Sequence, residues 1–332
     1  MKRLGKFLQI IGVGCLSVAL IGFLFVYVTK TFKLQYASQF RFTSIDTMKY
    51  SRDNAKNPET LKDIPFYVGT IANLGATHIV IATPYDEEFY PVLKTWVTEA
   101  RKHHLKVWFR GNFSSWEGWF DYPAFTDVNE HHTLTKAFIA RHPDLFERDD
   151  IFTPVPEAEN GGMGDPRGSD EKTDKFNKFL VASYNSCVDA FKEINVQVHC
   201  GYFSTNGDIA RDILTPETVK QTGNTIVIDH YVNSAQKMSD DIDYLVHKFP
   251  EAQIVIGEFG APIEDINGTM TEEQQAKFVG ELLEVFNKHR TDVVGVNYWL
   301  LSGGGTALYN QDKTPRLVTD VVRKYFIELN KK

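Results

Sequence analysis

QIVIGEFGAP, residues 253–262, sets Ile254, Val255 and Ile256 in a row, breaks at Gly257 and places an acid, Glu258, ahead of Phe259 and a second glycine. An unbroken β-branched run with no polar alternation reads as a strand covered on both faces, the pattern of a parallel sheet flanked by helices. Seven more runs of this kind precede and follow it: FRFTSID from Phe40, THIVIATP from Thr77, KVWFRGNF from Lys106, DIFTPVPE from Asp150, VQVHCGYF from Val196, NTIVIDHYV from Asn224 and DVVGVNYWL from Asp292. Helical spacing fills the gaps. Ile242, Leu245, Val246 and Phe249 follow a cap expected at Ser239, and Val279, Leu282, Leu283 and Phe286 follow a Thr271-x-x-Gln274 capping box. Eight strands strictly alternating with helices predict a (β/α)8 TIM barrel rather than an open doubly wound sheet. No G-x-G-x-x-G or G-x-x-x-x-G-K-[ST] follows the first strand, which argues against a nucleotide fold.

The 332 residues are 42% apolar and 13% aromatic, enough for one barrel with a full core. A formal charge of −7 with acids and bases interleaved offers no basic face, so nucleic acid is not an expected partner. The N-terminus reads separately. Lys2, Arg3 and Lys6 precede Phe7–Val28, an uncharged stretch long enough to cross about 30 Å of hydrocarbon as a helix. The basic side stays cytoplasmic by the positive-inside rule, and no small-residue cleavage site follows. Residues 1–32 are therefore expected to be a single-pass signal anchor, and residues 33–332 an extracytoplasmic barrel on the cell membrane.

Cysteine and histidine usage points away from metals. Cys187 and Cys200 show no C-x-x-C spacing and are expected as buried small hydrophobes. The adjacent pairs His103-His104 and His131-His132 point to opposite faces of any regular element. No metal and no cofactor is expected.

In such a barrel, chemistry sits at the C-terminal ends of the strands. Those ends carry Asp46, Asp86, Arg110 with Asn112, Glu157, Tyr202, His230 with Tyr231, Glu258 and Trp299. Two carboxylates at opposed strand ends suit glycosidic bond cleavage, where one must be protonated and the other ionised. Glu258 is one. Glu157 is preferred over Glu159 as the other, because it continues the alternation Ile151, Thr153, Val155; Glu159 and Asn160 would then orient sugar hydroxyls. Trp116 and Trp119, in FSSWEGWF, are candidates to stack on sugar rings.

These segments resemble the clan of retaining (β/α)8 glycoside hydrolases that includes the cellulase and β-mannanase families. IGEFG, residues 256–260, is similar to the nucleophile segment of the cellulase-like families, NYW at 297–299 to the segment whose tryptophan floors the sugar site, and DHYV at 229–232 to the stretch beside the nucleophile. The resemblance, over roughly residues 40–326, implies Glu258 as nucleophile and an acid/base after strand four. Pro156 stands where the clan carries asparagine, so Asn112 or Asn160 would have to contact the 2-hydroxyl. The implied activity is hydrolysis of a β-linked poly- or oligosaccharide. The alternative is a catalytically inactive carbohydrate-binding barrel.

Overall fold

A computed structural model describes residues 41–125 and 127–330. The expected anchor, Phe7–Val28, lies outside the described residues; among those residues no helix is long and apolar enough to cross a membrane.

Among the described residues nine strands, β1 (Phe42–Asp46), β2 (His78–Ile81), β3 (Lys106–Phe109), β4 (Ile151–Phe152), β5 (His199–Cys200), β6 (Ser204–Asn206), β7 (Thr225–Asp229), β8 (Gln253–Phe259) and β9 (Val293–Tyr298), pair in the order β5-β4-β3-β2-β1-β9-β8-β7-β6. Every pairing between them is parallel. The two end strands, β5 and β6, are consecutive in the chain. They are two pieces of the expected fifth strand, separated where Gly201 and Tyr202 turn into left-handed backbone (φ 92° and 52°). The lower piece pairs with β4 and the upper with β7. The sheet therefore closes as a barrel of eight staves, one of them bent. The seam is laced by Thr153 Oγ1 donating to the Tyr202 carbonyl (3.0 Å) and Glu157 N–H donating to the Ser204 carbonyl (2.9 Å).

Helices pack outside this sheet, and their ends follow local chemistry. Thr271 and Gln274 form the expected capping box on Glu272–Lys288. The helix Ala235–Lys248 starts earlier than expected: Ser234, not Ser239, is its cap, accepting from Lys237 N–H. Ser239 lies one turn in, and its hydroxyl meets His289 Nε2 at 2.9 Å. The core is continuous, with Ile45, Ile79, Val107, Ile226, Ile254 and Ile256 fully enclosed between sheet and helices. Each such side chain contributes about 1.5–3 kcal/mol of burial.

Two expectations are corrected. Cys187 and Cys200 are not free thiols but a disulfide, tying the helix Asp170–Glu193 to β5 with Cα atoms 6.0 Å apart. The strand expected through DIFTPVPE is only two residues long. Pro154 and Pro156 have no N–H to give a ladder, so pairing stops and the chain turns. Glu157 thus arrives by a turn in left-handed backbone (φ 45°), not by strand alternation.

Candidate active site

The barrel mouth is organised around one buried cation. Arg110, just past β3, is 1% exposed. Its Nη1 donates to Glu258 Oε1 (2.5 Å) and Asp46 Oδ2 (3.1 Å), its Nη2 to Asp229 Oδ2 (2.5 Å), and both Nε and Nη2 reach Ser204 Oγ (3.2 and 3.0 Å). Four staves, β1, β6, β7 and β8, thereby meet on one guanidinium. A planar fork with fixed donors suits this better than an ammonium would.

Glu258 takes up its position through a bulge. Ile228 pairs with Ile256, but the next residue, Asp229, pairs with Glu258, so Gly257 is an extra residue in β8. A Cβ at Gly257 would lie 2.4 Å from Asp229 Oδ1 and 2.7 Å from Val227 Cγ1, closer than any side chain tolerates. Glycine permits the bulge, and the bulge turns Glu258 inward. At 7% exposure Glu258 has both carboxylate oxygens engaged: Oε1 with Arg110 and Oε2 with the Tyr231 hydroxyl at 2.8 Å. Burial and the Glu258 charge push the Tyr231 phenol well up, so it remains a donor.

More carboxylates than cations gather here. Burial pushes Asp46 up to about 6 against the pull of Arg110, with the Glu258 charge adding to the rise. Burial pushes Asp229 well above the usual carboxylate range, outweighing Arg110, with Glu258 and Glu157 repelling it further. Glu157, half-buried on its turn, is raised by burial; Arg110 opposes the rise and the Glu258 charge reinforces it, while Asn160 hydrogen-bonds its carboxyl. A carboxylate paired with a guanidinium beside a second carboxyl raised toward its protonated form is the arrangement that acid–base chemistry at a sugar requires.

The other expected site residues divide by the face they occupy. Asn160 is exposed beside Glu157. Trp299, just past β9, is half-buried, its backbone N–H donating to the Phe259 carbonyl (2.9 Å). Trp119 is half-buried with the Arg52 guanidinium 4.5 Å over its ring. His230 does not face the cluster: its Nε2 turns outward to Asp241 Oδ2 (2.7 Å) on the helix Ala235–Lys248. Tyr202 is not at the rim: it is buried in the barrel among Phe42, Trp108 and His199. Asn112 is sealed from solvent, its Oδ1 accepting from Phe113 N–H (2.9 Å) and its Nδ2 unpartnered. Asp86 ties down the loop after β3, accepting from Ser114 N–H (2.8 Å).

Trp116 and Glu159 act beneath the surface. Trp116 is 3% exposed, stacked on Phe179 (5.6 Å, 10° between planes) and tilted against His131 (4.5 Å). A Cβ at Gly161 would lie 1.7 Å from its Nε1. The indole is therefore a bed for the loop that carries Glu157, not a sugar platform. Glu159, 4% exposed, points away from open solvent, its Oε1 accepting from Asn206 N–H (2.7 Å); burial pushes it up to about 7. The histidine pair is likewise split, His131 Nε2 facing the Pro154 carbonyl and His132 Nε2 facing Ser183 Oγ.

Three members of the cluster, Asp229, Ser204 and Asn297, were not expected. Val227 and Asp229 share the inward face of β7, as their joint approach to Gly257 shows, so two-residue alternation marks Asp229 and Tyr231 while His230 falls on the outer face. Asn297 Nδ2 donates to the Gly257 carbonyl (2.8 Å) and to Asp46 Oδ2 (3.3 Å), fixing β9 to β8 and β1 beneath Glu258.

No family model matches the chain, and no curated protein matches it. Solved structures do. A GH5_18 protein from Streptomyces cattleya, in complex with Manβ1-4GlcNAc, superposes with a TM-score of 0.65 at 14% identity, covering 88% of this chain and 81% of its own. The exo-β-1,4-mannosidase Op5Man5 from Opitutaceae bacterium strain TAV5 gives 0.64 at 8% identity, with 86% and 59% covered. A GH5_18 protein from Bifidobacterium longum subsp. longum ATCC 55813, also in complex with Manβ1-4GlcNAc, gives 0.61 at 15% identity, with 87% and 78% covered. The chain shares with these proteins a (β/α)8 barrel fold.

Proposed function

We propose that this protein is a retaining glycoside hydrolase acting on a β-linked poly- or oligosaccharide, with Glu258 as nucleophile and Glu157 as acid/base. The observation that carries the reading is Glu258 itself: a carboxylate at the end of β8, held by Arg110 and Tyr231, with the raised Glu157 carboxyl within its electrostatic reach. Arg110 stabilises the anion and Tyr231 orients its second oxygen. Glu258 attacks the anomeric carbon while Glu157 gives its proton to the departing glycosidic oxygen; the covalent glycosyl ester then yields to a water that Glu157 deprotonates. Once Glu258 is esterified, its charge no longer raises Glu157, which suits the change from acid to base. In this reading Asn160, Trp119, Tyr231 and Trp299 contact the sugar, while the buried Arg110 acts on it through Glu258. The clan resemblance and the fold shared with sugar-bound GH5_18 proteins support the same reading.

The protein also reads as a single-pass membrane protein with its barrel outside the cytoplasm, on the strength of the uncharged Phe7–Val28 stretch and its basic flank. The Cys187–Cys200 disulfide accords with an oxidising compartment. Retention after carbonate washing, with the barrel open to protease from outside only, is the expected result; a mature form starting near residue 30 would show cleavage.

The deciding experiment incubates the protein with β-glucans, mannans and xylans and follows the anomeric configuration of the first-formed product by proton NMR. A 2-deoxy-2-fluoro glycoside should label Glu258, found by peptide mass mapping. Saccharide binding with no turnover on any substrate would leave the inactive carbohydrate-binding barrel instead.

A further inference from the structure

A cavity of about 230 Å³ is walled by Tyr50, Phe66, Tyr67 and Tyr309 and rimmed by Asn310 and Gln311. It lies at the same end of the barrel as the Arg110–Glu258 cluster. Tyr50 follows Asp46 by four residues, and Leu301, which lines the cavity, donates its N–H to the Asp46 carbonyl (3.3 Å). Both walls thus hang from the residue that pairs with Arg110.

Its chemistry differs from that of the cluster. Tyr50 stacks on Tyr67 (4.2 Å between centroids) and Tyr309 meets Phe66 edge-on (6.4 Å), so the aromatic walls are braced. The cation at the rim, Lys313, is neutralised by Asp63 (2.8 Å). Hydroxyl and amide groups supply the remaining polarity: Tyr50 hydrogen-bonds Ser302, and the exposed Gln311 side chain makes no hydrogen bond to another described residue. Aromatic faces, neutral donors and acceptors, and no net charge fit a ligand with apolar C–H faces edged by hydroxyls. The volume falls below the roughly 300–1,000 Å³ of pockets for drug-sized ligands, so it accommodates a single ring.

We propose that this cavity binds one neutral pyranose of a glycan, as a subsite distinct from the Arg110–Glu258 centre. Its ligand class rests on the hydrolase reading. The test uses Glu258→Gln protein and calorimetric titration with β-1,4-linked gluco-, manno- and xylo-oligosaccharides from disaccharide to hexasaccharide, repeated after adding Tyr309→Ala or Gln311→Ala. The expected result is a step in affinity at the length that reaches the cavity, reduced about tenfold in either variant while the disaccharide is bound as before. Gln311 is exposed, so its variant remains informative should Tyr309→Ala fail to fold, as circular dichroism would reveal. The same affinity ladder in all three proteins overturns the subsite. Turnover of the ladder by the unsubstituted protein is read separately: a step without turnover sinks the hydrolase reading alone, turnover without a step sinks the subsite alone, and no saccharide binding sinks both.

Discussion

Gly257 and Asp229 pass so closely that no other residue fits at 257: a Cβ there would stand 2.4 Å from Asp229 Oδ1. The bulge that aims Glu258 and the carboxyl that meets Arg110 thus share one contact. Gly257→Ala should force them apart and destabilise the protein by about 1–3 kcal/mol, the usual cost of overpacking. Thermal denaturation measures this, and turnover should fall as Glu258 shifts; an unchanged melting temperature would refute the steric account.

Among the described residues, Arg110 is the only cation in direct contact with Asp46, Asp229 and Glu258. Arg110→Met keeps the bulk and leaves three buried carboxyls uncompensated, an arrangement that typically costs about 3–5 kcal/mol. The loss, read by urea denaturation, should be largest at neutral pH and shrink toward acid pH as the carboxyls protonate. A pH-independent loss would show that packing, not charge, is at stake.

Glu159 gives a pH dependence of definite sign. Its folded pKa, raised to about 7 from an ordinary 4.5, means that the folded state holds a proton which the unfolded chain has released. Its stabilising contribution is full below about pH 4.5 and is lost as pH rises to about 7. Wild type should therefore lose on the order of 2–3 kcal/mol relative to Glu159→Gln across that interval, at about 1.4 kcal/mol per unit. A flat difference between the two proteins would mean that Glu159 is ionised in the fold.

The two indoles should separate cleanly. Trp116→Ala empties a packed site and should cost about 3–5 kcal/mol, with turnover falling because the Glu157 loop loses its bed. Trp119→Ala removes a half-buried ring that touches the Arg52 guanidinium and hydrogen-bonds the Glu117 carboxyl near the surface, so melting should move little while saccharide binding weakens. Equal melting losses would contradict the division.

Breaking the disulfide, by Cys187→Ser with Cys200→Ser or by reduction, opens a loop of 13 residues' separation and should cost about 2–4 kcal/mol. Calorimetry with and without reductant measures it.

The barrel was legible because its strands are enclosed on both faces and so read as plain apolar runs; β7 and β8 lie where NTIVID and QIVIGEF place them. DIFTPVPE misled because its apolar residues continue past Phe152 while its prolines withhold the donors a ladder needs. At the site, Glu258, Arg110 and Tyr231 could be read from strand ends, but treating each end as a unit ignored which face each residue occupies. Parity separates inward Asp229 and Tyr231 from outward His230. Trp116 has no such rule: a loop indole faces whatever the fold brings, and only the glycines at 161 and 162 hinted at a neighbour pressed flat against it. Cys187 and Cys200 meet because a helix crosses over a strand, which spacing along the chain does not encode.

The bent fifth stave divides the labour of one stretch of chain. Below the bend, Cys200 is fastened by sulfur to the outer helix; above it, Ser204 and Asn206 are fastened by hydrogen bonds to Arg110, Glu157 and Glu159. Tyr202, wedged between them inside the barrel, works like the pin of a hinge whose two leaves are bolted to different frames. Loss of the disulfide would release the lower leaf alone, while substitution at Ser204 or Asn206 would loosen the upper one. Durability and chemistry can be altered by separate substitutions less than ten residues apart.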